Sequence, residues 1–84
     1  MSMAKREKIP CVIVTFHTTA EAMATEKLCK KMQLDGKLIS APRSLSPDCG
    51  IAWCSPAEYR HALEFMLMKA RIETAGFFEE DVAL

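Results

Sequence analysis

The chain has 84 residues, 50% of them hydrophobic and 26% charged. That is one small globular domain, too short for a second core and too apolar for disorder. Eleven basic residues balance eleven acidic ones. The balance argues against a dedicated nucleic-acid binder, whose affinity would come from neutralising phosphates.

No apolar run approaches the roughly 18 residues that suggest a membrane-spanning helix. No apolar stretch of the secretory type follows the basic start, so no signal peptide is expected. A reducing cytoplasm is the expected setting, and there the four cysteines are free thiols and not a disulfide framework.

In chain order, residues 1–9 read as a flexible tail and 10–84 as a single domain. Cys11 to Phe16 is short, β-branched and almost continuously apolar, which reads as a buried central strand. Thr18 and Glu21 have capping-box spacing. Ala20, Ala24, Leu28 and Met32 then give one apolar face, so a first helix is predicted from about Thr19 to about Leu34, with Gly36 as its stop. Lys37 to Ala41 is a second strand, and Pro42 to Gly50 is a loop of turn formers. Ile51 to Cys54 is a third strand. Ser55 is expected to cap a second helix, with Pro56 in its first turn and Glu58 completing another capping box. That helix should run to about Thr74 or Ala75 and stop at Gly76. Residues 77–84 have room for a short fourth strand, against which the acidic triplet Glu79-Glu80-Asp81 counts.

This order is the split βαβ, ferredoxin-like pattern: an α+β fold with an antiparallel sheet and two helices on one face. In it the junction Phe16 to Thr19 and the Pro42–Gly50 loop share one end of the sheet. The start of the second helix lies at the other end.

That placement singles out Cys49. It sits in a loop, on the side of the first helix's N-terminus, where His17 and Arg43 also belong. Exposed backbone N–H groups at that N-terminus favour an anion, with Thr18 and Thr19 in its surroundings, and nearby cations favour thiolate. Gly50 allows a sharp turn and a close approach. Asp48 opposes the shift, because a neighbouring negative charge disfavours thiolate. A lone loop cysteine with a distant histidine also arises by chance, so these residues alone do not settle a role.

Cys11 and Cys29 read as structural. Five extended steps of about 3.3 Å would hold Cys49 and Cys54 roughly 16 Å apart, too far for a disulfide or a shared metal. No metal site is expected, and no cofactor: there is no Walker motif, and three glycines make no phosphate loop. On the second helix, Tyr59, Ala62, Leu63, Met66 and Ala70 form the expected core stripe. His61, Phe65, Met68 and Ile72 form a second stripe, and with Trp53 they suggest an interface for a homodimer or partner protein. Scattered surface hydrophobes are the plainer explanation.

The run Val12 to Thr19, then Ala41-Pro42-Arg43-Ser44-Leu45-Ser46, then Cys49-Gly50-Ile51-Ala52, resembles the Putative Se/S carrier protein-like family of small bacterial proteins. The resemblance covers about Pro10 to Gly76. It implies a cysteine that carries sulfur or selenium as a persulfide or perselenide, and Cys49 is the matching position. His17 and Arg43 also match, without an assigned role. Donor and acceptor proteins would be the partners, and the chain a carrier more than a turnover enzyme. Two other classes compete. One is a non-catalytic interaction or regulatory module with an incidental cysteine, which the fold equally allows. The other, weakest, is a small cysteine-dependent hydrolase or reductase, for which no acidic orienter of His17 and no Cys-x-x-Cys is identifiable.

Overall fold

The structure is a computed structural model that describes residues 8–42, 44–45 and 50–83. Its elements are β1 (Lys8–Thr15), α1 (Thr19–Lys31), β2 (Lys37–Ser40), β3 (Ile51–Pro56), a 3-10 turn (Ala57–Tyr59), α2 (Arg60–Lys69) and β4 (Gly76–Ala83). The strands form one sheet in the order β2-β3-β1-β4, with every neighbouring pair antiparallel. This is the ferredoxin-like arrangement, with β1 central as its apolar run predicts.

Two layers of side chains flank the sheet. Val12, Val14, Phe16 and Trp53 point to one face and pack with Ala22, Cys29, Leu63 and Leu67 of the helices. Cys11, Ile13, Ala52 and Cys54 point to the other, where Ile39, Ala41, Leu45 and Val82 lie against them. Both helices therefore cover one face, as expected. The second face is not a bare apolar surface, since its four central residues are 0–1% exposed in the single chain.

Several boundaries differ from the sequence reading. β1 begins at Lys8, inside the predicted tail, and pairs with β4 along all eight residues from Lys8↔Ala83 to Thr15↔Gly76. The fourth strand is thus as long as the first. Its acidic triplet is tolerated because an edge strand keeps those side chains wet, and charge there discourages further pairing. Glu79 also accepts a bond from Arg60 at 2.6 Å.

Ser55 and Pro56 are strand residues, not a helix cap and first turn. The β1 ladder holds them through Val12↔Ser55 and Cys11↔Pro56. Ser55 is also committed elsewhere. Its Oγ accepts from the Trp53 indole N–H at 2.7 Å and donates to the Asp35 carbonyl at 2.6 Å. The helix start at residues 57–60 carries no side-chain cap bond.

Neither helix ends at a glycine. After α1, Gln33 takes a φ of 59°. The Leu34 N–H donates to the Cys29 carbonyl at 2.8 Å and the Gln33 N–H to the Lys30 carbonyl at 3.1 Å. After α2, Arg71 takes a φ of 60°. There the Ile72 N–H reaches the Leu67 carbonyl at 3.0 Å and the Arg71 N–H the Met68 carbonyl at 3.1 Å. Both are Schellman closures built on a residue that bears a side chain. Gly76 instead opens β4, and Gly36 serves a packing need. A Cβ there would sit 2.5 Å from Ser55 Oγ, 2.6 Å from Trp53 Cζ2 and 2.7 Å from the Cys54 carbonyl oxygen.

Candidate functional site

Phe16 is buried and pins the junction that follows β1. Ala75 N–H donates to the Thr15 carbonyl at 2.7 Å, which ties the same junction to the start of β4. The chain then emerges: His17, Thr18 and Thr19 are exposed. Thr18 is the N-cap, and the predicted capping box is present. Its Oγ1 accepts from the Glu21 N–H at 3.3 Å. Glu21 Oε1 in return accepts from the N–H groups of His17 at 3.1 Å and Thr18 at 3.2 Å.

That return contact changes the electrostatics read from the sequence. The N-terminal turn of α1 does favour an anion, but Glu21 already supplies one. A thiolate brought here would share the helix dipole with a carboxylate. The same contact engages the Glu21 carboxylate with the His17 and Thr18 backbone amides, and among the described residues no carboxylate is bonded to the His17 ring.

Gly50 lies at the same end. The β1–β3 ladder pairs Thr15 with Ala52; continued by two residues, it sets His17 level with Gly50. Gly50 has a φ of 80°, a backbone that favours glycine, and among the described residues nothing lies within 4 Å of where its Cβ would be. Its carbonyl accepts the Ala41 N–H at 3.0 Å, which closes the base of the β2–β3 loop. Leu45 reaches from that loop onto the second sheet face, an anchor that no sequence periodicity marks. Cys49 and Arg43 lie outside the described residues.

The other three cysteines are buried, free thiols, as the structural reading of Cys11 and Cys29 expects. Burial pushes the Cys29 thiol up to about 11. It pushes Cys54 up to about 12, with Cys11 beside it adding to the rise. Cys54 does not end its strand, which continues two residues further.

The interface expected from Trp53, His61, Phe65, Met68 and Ile72 divides. Trp53 is 1% exposed and belongs to the helix-side core, so it offers nothing to a partner. Ile72 is half-buried and packs against that core, because the chain after Arg71 turns back toward the sheet. His61, Phe65 and Met68 are exposed. The core stripe of α2 shifts correspondingly: Leu63 and Leu67 are its buried members, Tyr59 and Met66 flank them, and Ala62 and Ala70 are exposed. A four-residue step from Leu63 finds Leu67 directly.

A ferredoxin-like domain whose β2–β3 loop closes at Gly50, at the same end as the β1–α1 junction, defines the class. The chain belongs to the Putative Se/S carrier protein-like family, whose model matches residues 4–79. No curated protein and no solved structure matches it. Among the described residues no helix is long and apolar enough to cross a membrane, and no three His, Cys, Asp or Glu side chains group as a metal site.

Proposed function

We propose that the protein carries sulfur or selenium on Cys49, taking it from one protein and giving it to another in the cytoplasm. One observation carries this beyond the family name. The three described cysteines have no solvent exposure, and burial holds the Cys29 and Cys54 thiols in their protonated, non-nucleophilic form. Carriage therefore falls to Cys49, the residue immediately before Gly50 in the sequence.

The chemistry needs no added oxidant. The Cys49 thiolate attacks the outer chalcogen of a donor's persulfide or perselenide. The donor's S–S or S–Se bond breaks, its thiolate leaves, and Cys49 holds the outer atom. An acceptor nucleophile then attacks that atom and Cys49 thiolate departs. Arg43 neutralises the bound anion, and the His17 imidazole hydrogen-bonds it or relays a proton. Thr18, Thr19 and Gly50 complete its surroundings.

The test is thiol mapping by mass spectrometry. Alkylation of the native protein across pH should label Cys49 first, with an apparent pKa below about 8.5. Incubation with inorganic polysulfide should add one sulfur at Cys49, and Cys49→Ser should abolish the gain. Slower labelling at Cys49 than at the buried thiols would sink the carrier reading. It would leave the interaction module, which the exposure of Phe65 (58%) and Met68 (67%) favours.

A further inference from the structure

The outer side of the helix layer holds an apolar groove that the carrier chemistry does not use. It lies between α1 and α2, with a volume of about 340 Å³, lined by Leu28, Met32, Phe65, Met66, Lys69 and Ala70. A second depression of about 260 Å³ shares Leu28 and Ala70 and continues it past Lys27 and Lys31. Leu28 and Met66 are half-buried, while Met32 and Phe65 are 55% and 58% exposed.

Its charge is one-sided. Lys27, Lys31 and Lys69 line the two depressions, and no acidic residue does. Among the described residues none of these three lysines has an ion-pair partner; Lys30, next to them, is paired with Glu26 at 3.7 Å. Lys69 Nζ stands 5.6 Å from the Phe65 ring centroid, which holds a cation at the mouth of the groove.

We propose that this groove docks an acidic amphipathic helix of a partner protein. The partner's apolar side would seat on Leu28, Met32, Phe65 and Met66, and its carboxylates would meet Lys27, Lys31 and Lys69. A trough between two packed helices accepts the ridge of a third. Methionine adapts its shape to the guest. A second copy of this chain fits badly, because a two-fold contact through this patch would set lysines against lysines. A bilayer fits less well too: Leu28 and Met66 of the groove are half-buried, whereas an interfacial helix inserts a protruding apolar face.

The test uses the Cys49→Ser chain with labelled methionine methyls, so its outcome is independent of whether Cys49 carries sulfur. The probe is a synthetic helical peptide with a leucine face flanked by glutamates; its twin has lysines at those positions. The acidic peptide should shift Met32 and Met66 and leave Met68, which lies outside the groove, unmoved. The triple variant K27E/K31E/K69E should weaken binding by roughly tenfold or more with an unchanged melting temperature. The proposal is overturned by equal binding of the lysine twin, by no shift at Met32 and Met66, by stronger binding to phosphatidylglycerol vesicles than to the peptide, or by self-association through the same methyls.

Discussion

Gly36 and Gly50 sit at opposite ends of the sheet, and both have a positive φ, 153° and 80°. Around Gly36 a side chain would strike Ser55, Trp53 and the β3 backbone at 2.5–2.7 Å. Around Gly50 the described residues leave open space. The first glycine is required by what packs against it, the second by its own backbone. The contrast extends to their surroundings. The Gly36 end has a buried indole whose N–H is satisfied by Ser55, and Ser55 in turn by the Asp35 carbonyl. The Gly50 end has exposed His17, Thr18 and Thr19. One end fixes the fold, and the other leaves side chains available for chemistry.

The sharpest way to break this comparison is Gly36→Ala. The clash involves backbone and a packed indole, so a loss of about 3 kcal/mol is expected, read from urea unfolding. A loss under about 1 kcal/mol would mean the Gly36 end is softer than its contacts imply. Ser55→Ala should cost less, about 1–3 kcal/mol, because it strips partners from the Trp53 N–H and the Asp35 carbonyl. Thermal unfolding of this variant at neutral pH checks it.

Alkaline pH probes the buried thiols. The folded pKa of Cys29 and Cys54 is raised from 9.0 to about 11 and about 12. A raised pKa favours the protonated folded form, so this contribution is full below about pH 9 and lost as pH climbs through 11 and 12. The melting temperature should fall by several degrees between pH 9 and 11; a flat profile there would contradict the burial of these sulfurs. The smallest effect belongs to the other end. His17→Ala should leave stability within about 0.5 kcal/mol, since its described bond is through the backbone N–H. If Cys49 acts with His17, the same variant should slow sulfur loading, which separates function from folding at that end.

Much of this molecule was legible from short-range signals. The apolar run of β1, the Thr18–Glu21 box and the succession of strands and helices follow from neighbouring residues, whose periodicity and capping chemistry are local. From that succession the shared end of His17 and Gly50 could be argued before any coordinates. The glycines misled. A helix stop was expected at Gly36 and Gly76, yet Gln33 and Arg71 take the left-handed turn while the nearby glycines serve the sheet. Ser55-Pro56 looked like a cap because its spacing to Glu58 is right; only β1 alongside makes it strand.

By itself, the sequence determined the class of fold, the capping box of α1, the family and the cysteine worth testing, because those depend on residue types and their spacing. It did not determine the buried face of α1, which is Ala22, Thr25 and Cys29 while Ala20, Ala24 and Met32 are exposed. Tertiary structure decided the rest: that Trp53 is core and not surface, that Leu45 anchors the loop, and that eight residues with an acidic triplet form an edge strand. Each of these depends on which distant backbone or side chain lies opposite, and that partner is chosen only when the sheet closes.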